Sequence, residues 1–406
     1  AYEILIGLVG SEMCIRDRNC TLKDRDGFIW FGTWYGLCCF DGVKFKTFNK
    51  QEHDSDVPPR KIQRIVEDKN GYIWVKTIDR KLYVFNKVTE CFHAVYDDMK
   101  NYSENIQVIK LQNTAEGDVL LLTKDKNLLL AGVDEKGQVT IKILFDSRNE
   151  INKHDYTLKH HVLCETEEYI SWIGTDYKVA AVHKGSELAS RPADFITSKI
   201  NSGDKDSFTS FFEDGRKVWV GDRAGIFYSI DVRTGLVNRY VLSEIKGAIS
   251  NLLVTPAGYV YLSVAGQGTY EYDLAERRLQ KINTEMNDAM VTHAFIDQYD
   301  KIWFHENEKA LIYYDPLNHT AKRFPFTMFG KITTLYSEDA GERGLFFLSP
   351  AGEAWLFDRE HAEMVYINKL KQLSNDRANQ QFYHLMLDND GVLWLSSADE
   401  GVYCMN

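Results

Sequence analysis

Asp24-Arg25-Asp26-Gly27-Phe28-Ile29-Trp30-Phe31-Gly32-Thr33 returns 74 − 30 = 44 residues later as Asp68-Lys69-Asn70-Gly71-Tyr72-Ile73-Trp74-Val75-Lys76-Thr77. The slot of Trp30 and Trp74 then recurs as Leu120, Trp172, Trp219, Tyr261, Trp303, Phe347 and Trp394, which makes nine repeats at steps of 42 to 52 residues. Six of the eight tryptophans occupy it. A second marker runs in register ten to twelve residues on, an apolar or aromatic residue followed by Asp or Asn: Phe40-Asp41, Phe85-Asn86, Ile230-Asp231, Tyr272-Asp273, Tyr314-Asp315 and Phe357-Asp358. Self-similarity at this period, with several short strands per unit, is the sequence signature of a β-propeller.

The first repeat predicts its strands directly. Asp24 to Gly27 is turn chemistry, Phe28 to Thr33 is an apolar run, and Tyr35-Gly36 turns again into Leu37 to Phe40. Asp41-Gly42 is a strong hairpin signal before Phe45 to Phe48, whose alternation with Lys46 and Thr47 suits a half-exposed outer strand. Helical periodicity is faint and confined to stretches such as Ser243 to Lys246 and Asn368 to Leu373. The expected class is all-β.

Composition limits the partners. The chain has 406 residues, 44% hydrophobic and 13% aromatic, with a formal net charge of −11, and it carries no basic stripe or nucleic-acid motif. Such a balance argues against DNA or RNA as the ligand of this region. No apolar stretch reaches the length of a membrane span. Cys14, Cys20, Cys38, Cys39, Cys91, Cys164 and Cys404 show no C-x-x-C spacing, which predicts buried thiols more than disulfides or a metal site. His160 and His161 would point to opposite faces of a strand and could not chelate together. Neither a metal nor a cofactor is expected, and no catalytic residue is marked out.

Residues 1–18 stand outside the repeat pattern. Ala1 to Gly10 is a poor signal peptide, and Ser11 to Arg18 reads like translated adapter sequence, so 1–18 is expected to be a non-native or disordered leader. With the chain stopping at Asn406 after two strands of the ninth repeat, the expectation is a fragment cut at both ends.

The segment Asp24 to Phe48, read as D-x-x-G-x-I-W-F-G-T-x-x-G-L-x-x-F-D-G-x-x-F-x-x-F, resembles the two-component-regulator propeller repeat. The stretch from Asp54 through Pro58 to Asp68 and Trp74 is similar to the join between the first two blades of those sensors. The resemblance covers about residues 20 to 406 and is weakest in repeat three, where Leu120 replaces Trp, and repeat four, where Tyr169 stands at the Gly position. It implies the periplasmic sensor of a Bacteroidetes-type hybrid two-component system, with two consecutive seven-bladed propellers, a β-sandwich, a membrane helix, a histidine kinase and a response regulator. On that plan residues 19–325 form a seven-bladed propeller and 326–406 begin a second. A single nine-bladed ring is the alternative. The implied partners are the rest of the same polypeptide and a second copy in a homodimer. Other propeller families fit less well: there is no Trp-Asp or Gly-Gly dipeptide, and the sialidase Asp box would need a Ser or Thr two residues before its Asp.

The repeated residues read as structure. A ligand site needs one or a few aromatic platforms, whereas a core between sheets needs one per blade, so Trp30 and its equivalents are packing wedges. Gly27 and Gly71 are turn glycines, and their Asp partners cap Asx-type turns. Function must come from what differs between blades. The turn after the Trp strand shares an end with the link into the next blade, and there the candidate ligand residues are Trp34, Tyr35, Asp79, Arg80, Asp176, Tyr177, Asp222, Arg223, Gln267 and His305, followed by Glu306, Asp399 and Glu400. Aromatic platforms among charged hydrogen-bonding groups suit oligosaccharides or sugar-derived acids. Three functions compete: an extracytoplasmic ligand sensor, a propeller lyase or glycosidase, and a protein-interaction scaffold. An enzyme would need acids, bases or His and Tyr gathered in one well, and a scaffold would need an extended apolar patch.

Overall fold

The computed structural model describes residues 4–5, 18–42, 44–48, 59–100, 107–147, 158–174, 179–185, 193–194, 208–282, 291–306, 309–329, 336–339, 341, 344–349, 353–369, 382–387, 393–397 and 401–405. They form nine four-stranded sheets, each antiparallel throughout. Sheet I holds Arg18–Lys23, Ile29–Thr33, Leu37–Phe40 and Phe45–Phe48, as the turn chemistry of the first repeat predicts. Sheet II holds Ile62–Glu67, Ile73–Thr77, Leu82–Asn86 and Cys91–Ala94, and sheet III holds Val108–Asn113, Val119–Thr123, Leu128–Val133 and Val139–Phe145. Sheets IV to VIII open with Leu158–Glu165, Phe208–Glu213, Ile249–Val254, Val291–Ile296 and Tyr336–Asp339. Helix appears among the described residues at Tyr96–Met99 and as a 3-10 turn at Phe326–Phe329, while Ser243 and Glu244 sit in a turn and Asn368 lies within the strand Glu363–Lys369.

Residues 1–146 with 334–406 make one compact unit, and 147–333 make another. Within each, the first strand of a sheet lies beside the first strand of the next, the stacking expected of propeller blades. Both faces of a sheet with a neighbour on each side in its own unit, such as sheets I and II, are therefore covered. Ile29–Thr33 and Ile73–Thr77 are buried at every position, so these strands read as continuous apolar runs instead of alternating ones.

The repeated aromatic points into the following sheet. Trp30 packs against Phe85 of sheet II with ring centroids 5.6 Å apart, and Trp74 enters the core shared with sheet III. Trp394, on the second strand of sheet IX, does the same toward sheet I, with its ring 5.2 Å from Phe40 and 6.5 Å from Phe31. Sheet IX thus lies against sheet I, a place that the seven-plus-two division gives to sheet VII.

The fourth strand of sheet IX is Ile4–Leu5, which pairs with Met405 and Cys404 beyond Phe382–Leu387, Leu393–Ser397 and Gly401–Met405. A segment within 1–18 therefore supplies a repeat element, contrary to the expectation of an inert leader. Main-chain pairing satisfies the edge whatever the side chains are, so no pattern in the sequence marks such a strand. Residues 11–17 lie outside the described residues.

Candidate functional site

The repeat motif is a two-handed clamp. Asp24 Oδ1 accepts the amides of Asp26 and Phe28 at 3.0 and 2.8 Å, closing the turn that Gly27 completes at φ 92°, while Oδ2 accepts the Trp30 indole N–H at 2.7 Å. Asp68 repeats this with Asn70, Tyr72 and Trp74, and its Oδ2 also takes the amide of Val133 in sheet III at 3.2 Å. Asp214 and Asp297 hold Trp219 and Trp303 at 2.8 and 3.2 Å. Where the aromatic changes to Leu120 or Tyr261, the Asp becomes Thr114 or Thr255, which caps the turn through its hydroxyl and has no second oxygen for an indole. Tyr261 finds another acceptor. Its hydroxyl donates to the buried Glu271 at 2.8 Å, which also accepts from Tyr314 of the next sheet at 3.1 Å. The second marker caps too, with Asp41, Asn86 and Asp231 accepting amides of the following turn.

The candidate residues separate once their contacts are known. Asp222 is buried, and its Oδ1 takes the amides of Ala224 and Ile226 at 2.9 and 2.8 Å, so it caps a turn and offers no ligand surface. Gln267 is occupied in stapling a link, accepting from Lys246 N at 2.7 Å and donating to Glu244 O at 3.1 Å. Glu306 is buried and bound by Arg323 at 3.0 Å. His305 is half-buried against Phe326, and burial, then His293, holds its imidazole below the ordinary histidine value. Arg223 remains exposed. Asp176, Tyr177, Asp399 and Glu400 lie outside the described residues, as do the side chains of His160 and His161.

Trp34, Tyr35, Asp79 and Arg80 come together on one end of sheets I and II. Trp34 is 39% exposed and Tyr35 41%. The Trp34 carbonyl accepts the Lys61 amide at 3.0 Å, the Lys61 carbonyl accepts the Ile78 amide at 2.9 Å, and the Lys61 ammonium sits 5.3 Å from the Trp34 ring. The inter-sheet link and the turn after the Trp strand do share this end. It continues into sheet III, because Arg80 O accepts from Val108 at 2.9 Å and Gln107 O accepts from Lys124 at 2.8 Å.

Beside the sheet II turn, and not reaching Trp34 or Tyr35, is a cavity of about 370 Å³ lined by Asp79, Arg80, Tyr83, Tyr96, Met99 and Gln107 among others. Tyr96, Met99 and Gln107 carry no repeat signature, and sequence reasoning missed them. Burial tends to raise the Asp79 carboxyl, but the Thr77 hydroxyl and Lys81, 3.3 Å away, outweigh it and hold the group below the usual carboxylate value.

A second cavity, of about 440 Å³, lies at the opposite end of sheets IV and V, between Thr166, Tyr169, Arg216 and Arg233. Close by in sheet V, Glu213 Oε2 is buried with no hydrogen-bond partner among the described residues. Burial pushes this carboxyl up to about 7, helped by Glu165 and Asp214 and partly offset by a backbone hydrogen bond from Glu165 and by Lys184. The folded state holds a proton there that the unfolded chain releases, so stability falls as pH rises from the ordinary glutamate value of 4.5 to about 7. Melting of the wild type and of Glu213→Gln at pH 5 and pH 8 checks this. The variant should gain on the wild type at pH 8, and an equal difference at both pH values would refute it.

Asp24, Asp26 and Glu67 are the one group of three metal-type ligands among the described residues. Their shared space is filled by the Lys87 ammonium, 3.0, 2.8 and 2.8 Å from the three carboxylates. Cys20 and Cys39 are buried, and burial pushes each thiol up to about 12, so neither is a nucleophile.

No protein-family model matches the chain. No curated protein matches it. Solved structures that align with it include the extracellular domain of a one-component system and that of a hybrid two-component system, both from B. thetaiotaomicron, and the Dos1 propeller. Their identities are 14, 14 and 12%, with TM-scores of 0.40, 0.38 and 0.49. The alignments cover 95, 100 and 96% of this chain and 64, 59 and 92% of the others. The chain thus spans less than two thirds of either bacterial domain, and at these scores the likenesses assign no residue a role. Among the described residues no helix is long and apolar enough to cross a membrane.

Proposed function

We propose that the chain is an extracytoplasmic ligand-sensing region of a hybrid two-component signalling protein, which binds saccharide-derived molecules and passes the signal to a membrane helix and kinase elsewhere in a dimeric polypeptide. One observation carries the reading. The Asp-x-x-Gly-x-x-Trp clamp of the resembled family absorbs the repeated residues into turns and cores, and what stays exposed between sheets I and II is an aromatic pair beside charged groups. On this reading the region binds and does not turn over.

Calorimetry with host and plant glycan oligosaccharides, run with product analysis, tests the proposal. Trp34→Ala should weaken binding about two- to fivefold, since a contact with an exposed ring is worth about 0.5–1 kcal/mol, while melting stays within about 0.5 kcal/mol of wild type. Release of shortened or unsaturated sugars would replace the sensor by an enzyme. Binding indifferent to Trp34 would move the site off this end of the sheets.

A further inference from the structure

Sheets II, IV and V each end their first strand on a glutamate: Glu67, Glu165 and Glu213. In the first two, a lysine just after the third strand neutralises it. Lys87 follows Leu82–Asn86 and stands 2.8 Å from Glu67, and Lys184 follows Val179–His183 and stands 2.5 Å from Glu165. The third strand of sheet V is Ile226–Asp231, and the residue after it is Val232. Valine offers no cation, and the buried Oε2 of Glu213 has no hydrogen-bond partner among the described residues.

Val232 forms part of the wall of the 440 Å³ cavity between sheets IV and V. The Lys87 ammonium sits between Glu67 of its own sheet and Asp24 and Asp26 of the preceding one. Counted six and four residues back from the repeated aromatic, Thr166 and Glu168 hold the places of Asp24 and Asp26 in sheet IV, and both line the cavity. The main-chain rung between neighbouring turns is kept as well. The Glu167 amide donates to Gly215 O at 3.4 Å, as the Lys69 amide donates to Gly117 O at 2.7 Å between sheets II and III. Sheets IV and V thus keep the frame of the lysine clasp and one of its buried acids, with a cavity beside them. Tyr169, Arg216 and Arg233 are also in its wall.

We propose that this cavity binds a small molecule by its ammonium group, seated between Glu213, Glu168 and Thr166 as the Lys87 ammonium is seated between Glu67, Asp26 and Asp24. A bound ammonium gives the buried carboxylate the charge and hydrogen bonds that a lysine supplies in sheets II and IV. A metal ion is the poorer occupant, because among the described residues no three ligand groups converge here closely enough to hold one. Arg216 and Arg233 repel a second cation, so the molecule carries one amine and ends in carboxyl or hydroxyl groups, as amino acids and amino sugars do. Glu213 has to ionise for this. Facing it are Glu165 and Lys184 of sheet IV, which are paired with each other, and Asp214 of its own turn. Burial pushes the Glu213 carboxyl up to about 7, so amine binding strengthens as pH rises toward that value. The site lies in the unit 147–333 and not in that of Trp34, so it goes beyond the sensing reading and stands or falls apart from it.

The test is calorimetric titration of the full chain with 6-aminohexanoate, glucosamine, hexanoate and glucose at about pH 6 and pH 7. At least one amine should bind about tenfold or more tighter than its amine-free counterpart, and its affinity should rise about fivefold between the two pH values as Glu213 ionises. Glu213→Gln should cost about tenfold and remove that pH dependence. Val232→Lys supplies the lysine of sheets II and IV. It should abolish amine binding and raise the melting temperature, a pair of results that a plain packing role for Val232 does not give. Should Val232→Lys fail to fold, Glu213→Gln decides alone. Amine binding undiminished in Glu213→Gln would overturn the proposal, and so would the lack of any preference for an amine over hexanoate and glucose. Either result leaves saccharide binding at Trp34 standing, and the tighter of the two amines separates amino acids from amino sugars.

Discussion

Replacing Trp74 by alanine is expected to lower the unfolding free energy by about 3–5 kcal/mol, the range for emptying a large buried aromatic site. Trp74 is fully buried in the core between sheets II and III, with Val66, Val84, Leu121 and Leu129 around it. The loss extends beyond the cavity. Its indole N–H satisfies Asp68 Oδ2 at 2.9 Å, and that carboxylate, 1% exposed, also anchors its own turn and the Val133 amide across the sheet boundary. Removing the indole therefore loosens the clamp that joins a turn, a wedge and the neighbouring sheet. Urea denaturation should show a clear drop in midpoint, and a loss under about 1 kcal/mol would mean that the core collapses around the gap or that the ring packs more loosely than its burial indicates.

Much of the architecture is legible because the repeat is periodic and every period must bury the same surface. Trp30, Trp74, Trp219 and Trp303 announce their sheets, and in those repeats the Asp that caps the turn also holds the indole, whereas Trp172 keeps its place behind a Thr166 cap. What escaped is what periodicity does not encode. The neighbour of a terminal sheet depends on main-chain pairing and on which faces meet. Neither Ile4–Leu5 nor the contact of Trp394 with Phe40 carries a local signature.

The clustering of the candidate residues was legible in the sequence more than the use of each one. Turns after the Trp strand do share an end with the inter-sheet links, and Trp34, Tyr35, Asp79 and Arg80 fall there together. Asp222 and Gln267 were misread because a polar residue in a turn has two uses, and only the hydrogen-bond partner separates a cap from a ligand contact.

Lys87→Met should cost about 3–5 kcal/mol at neutral pH, the range for breaking a buried ion pair by removing one partner. The ammonium joins sheet I to sheet II by binding Asp24, Asp26 and Glu67, of which Asp24 and Glu67 are buried and Asp26 is exposed and contributes less. Methionine keeps the stem and removes the charge, leaving three carboxylates within 4.8 Å of one another, with Arg25 turned to Glu67 at 3.3 Å as the remaining nearby cation. The pH dependence carries a definite sign. Burial tends to lower the Lys87 ammonium, yet its three carboxylate partners outweigh that and raise it, while Lys87 depresses Asp26. In the wild type the clasp is therefore fully present between the ordinary carboxylate and lysine values. It is lost as pH falls through the depressed Asp26 value or rises through the raised Lys87 value. In the variant, acidification instead neutralises carboxylates that repel, so its deficit against the wild type should shrink steadily from pH 7 toward pH 4. Denaturation midpoints across that range decide the matter: a deficit that does not change with pH would reduce Lys87 to a packing residue and remove charge from the joint between the two sheets.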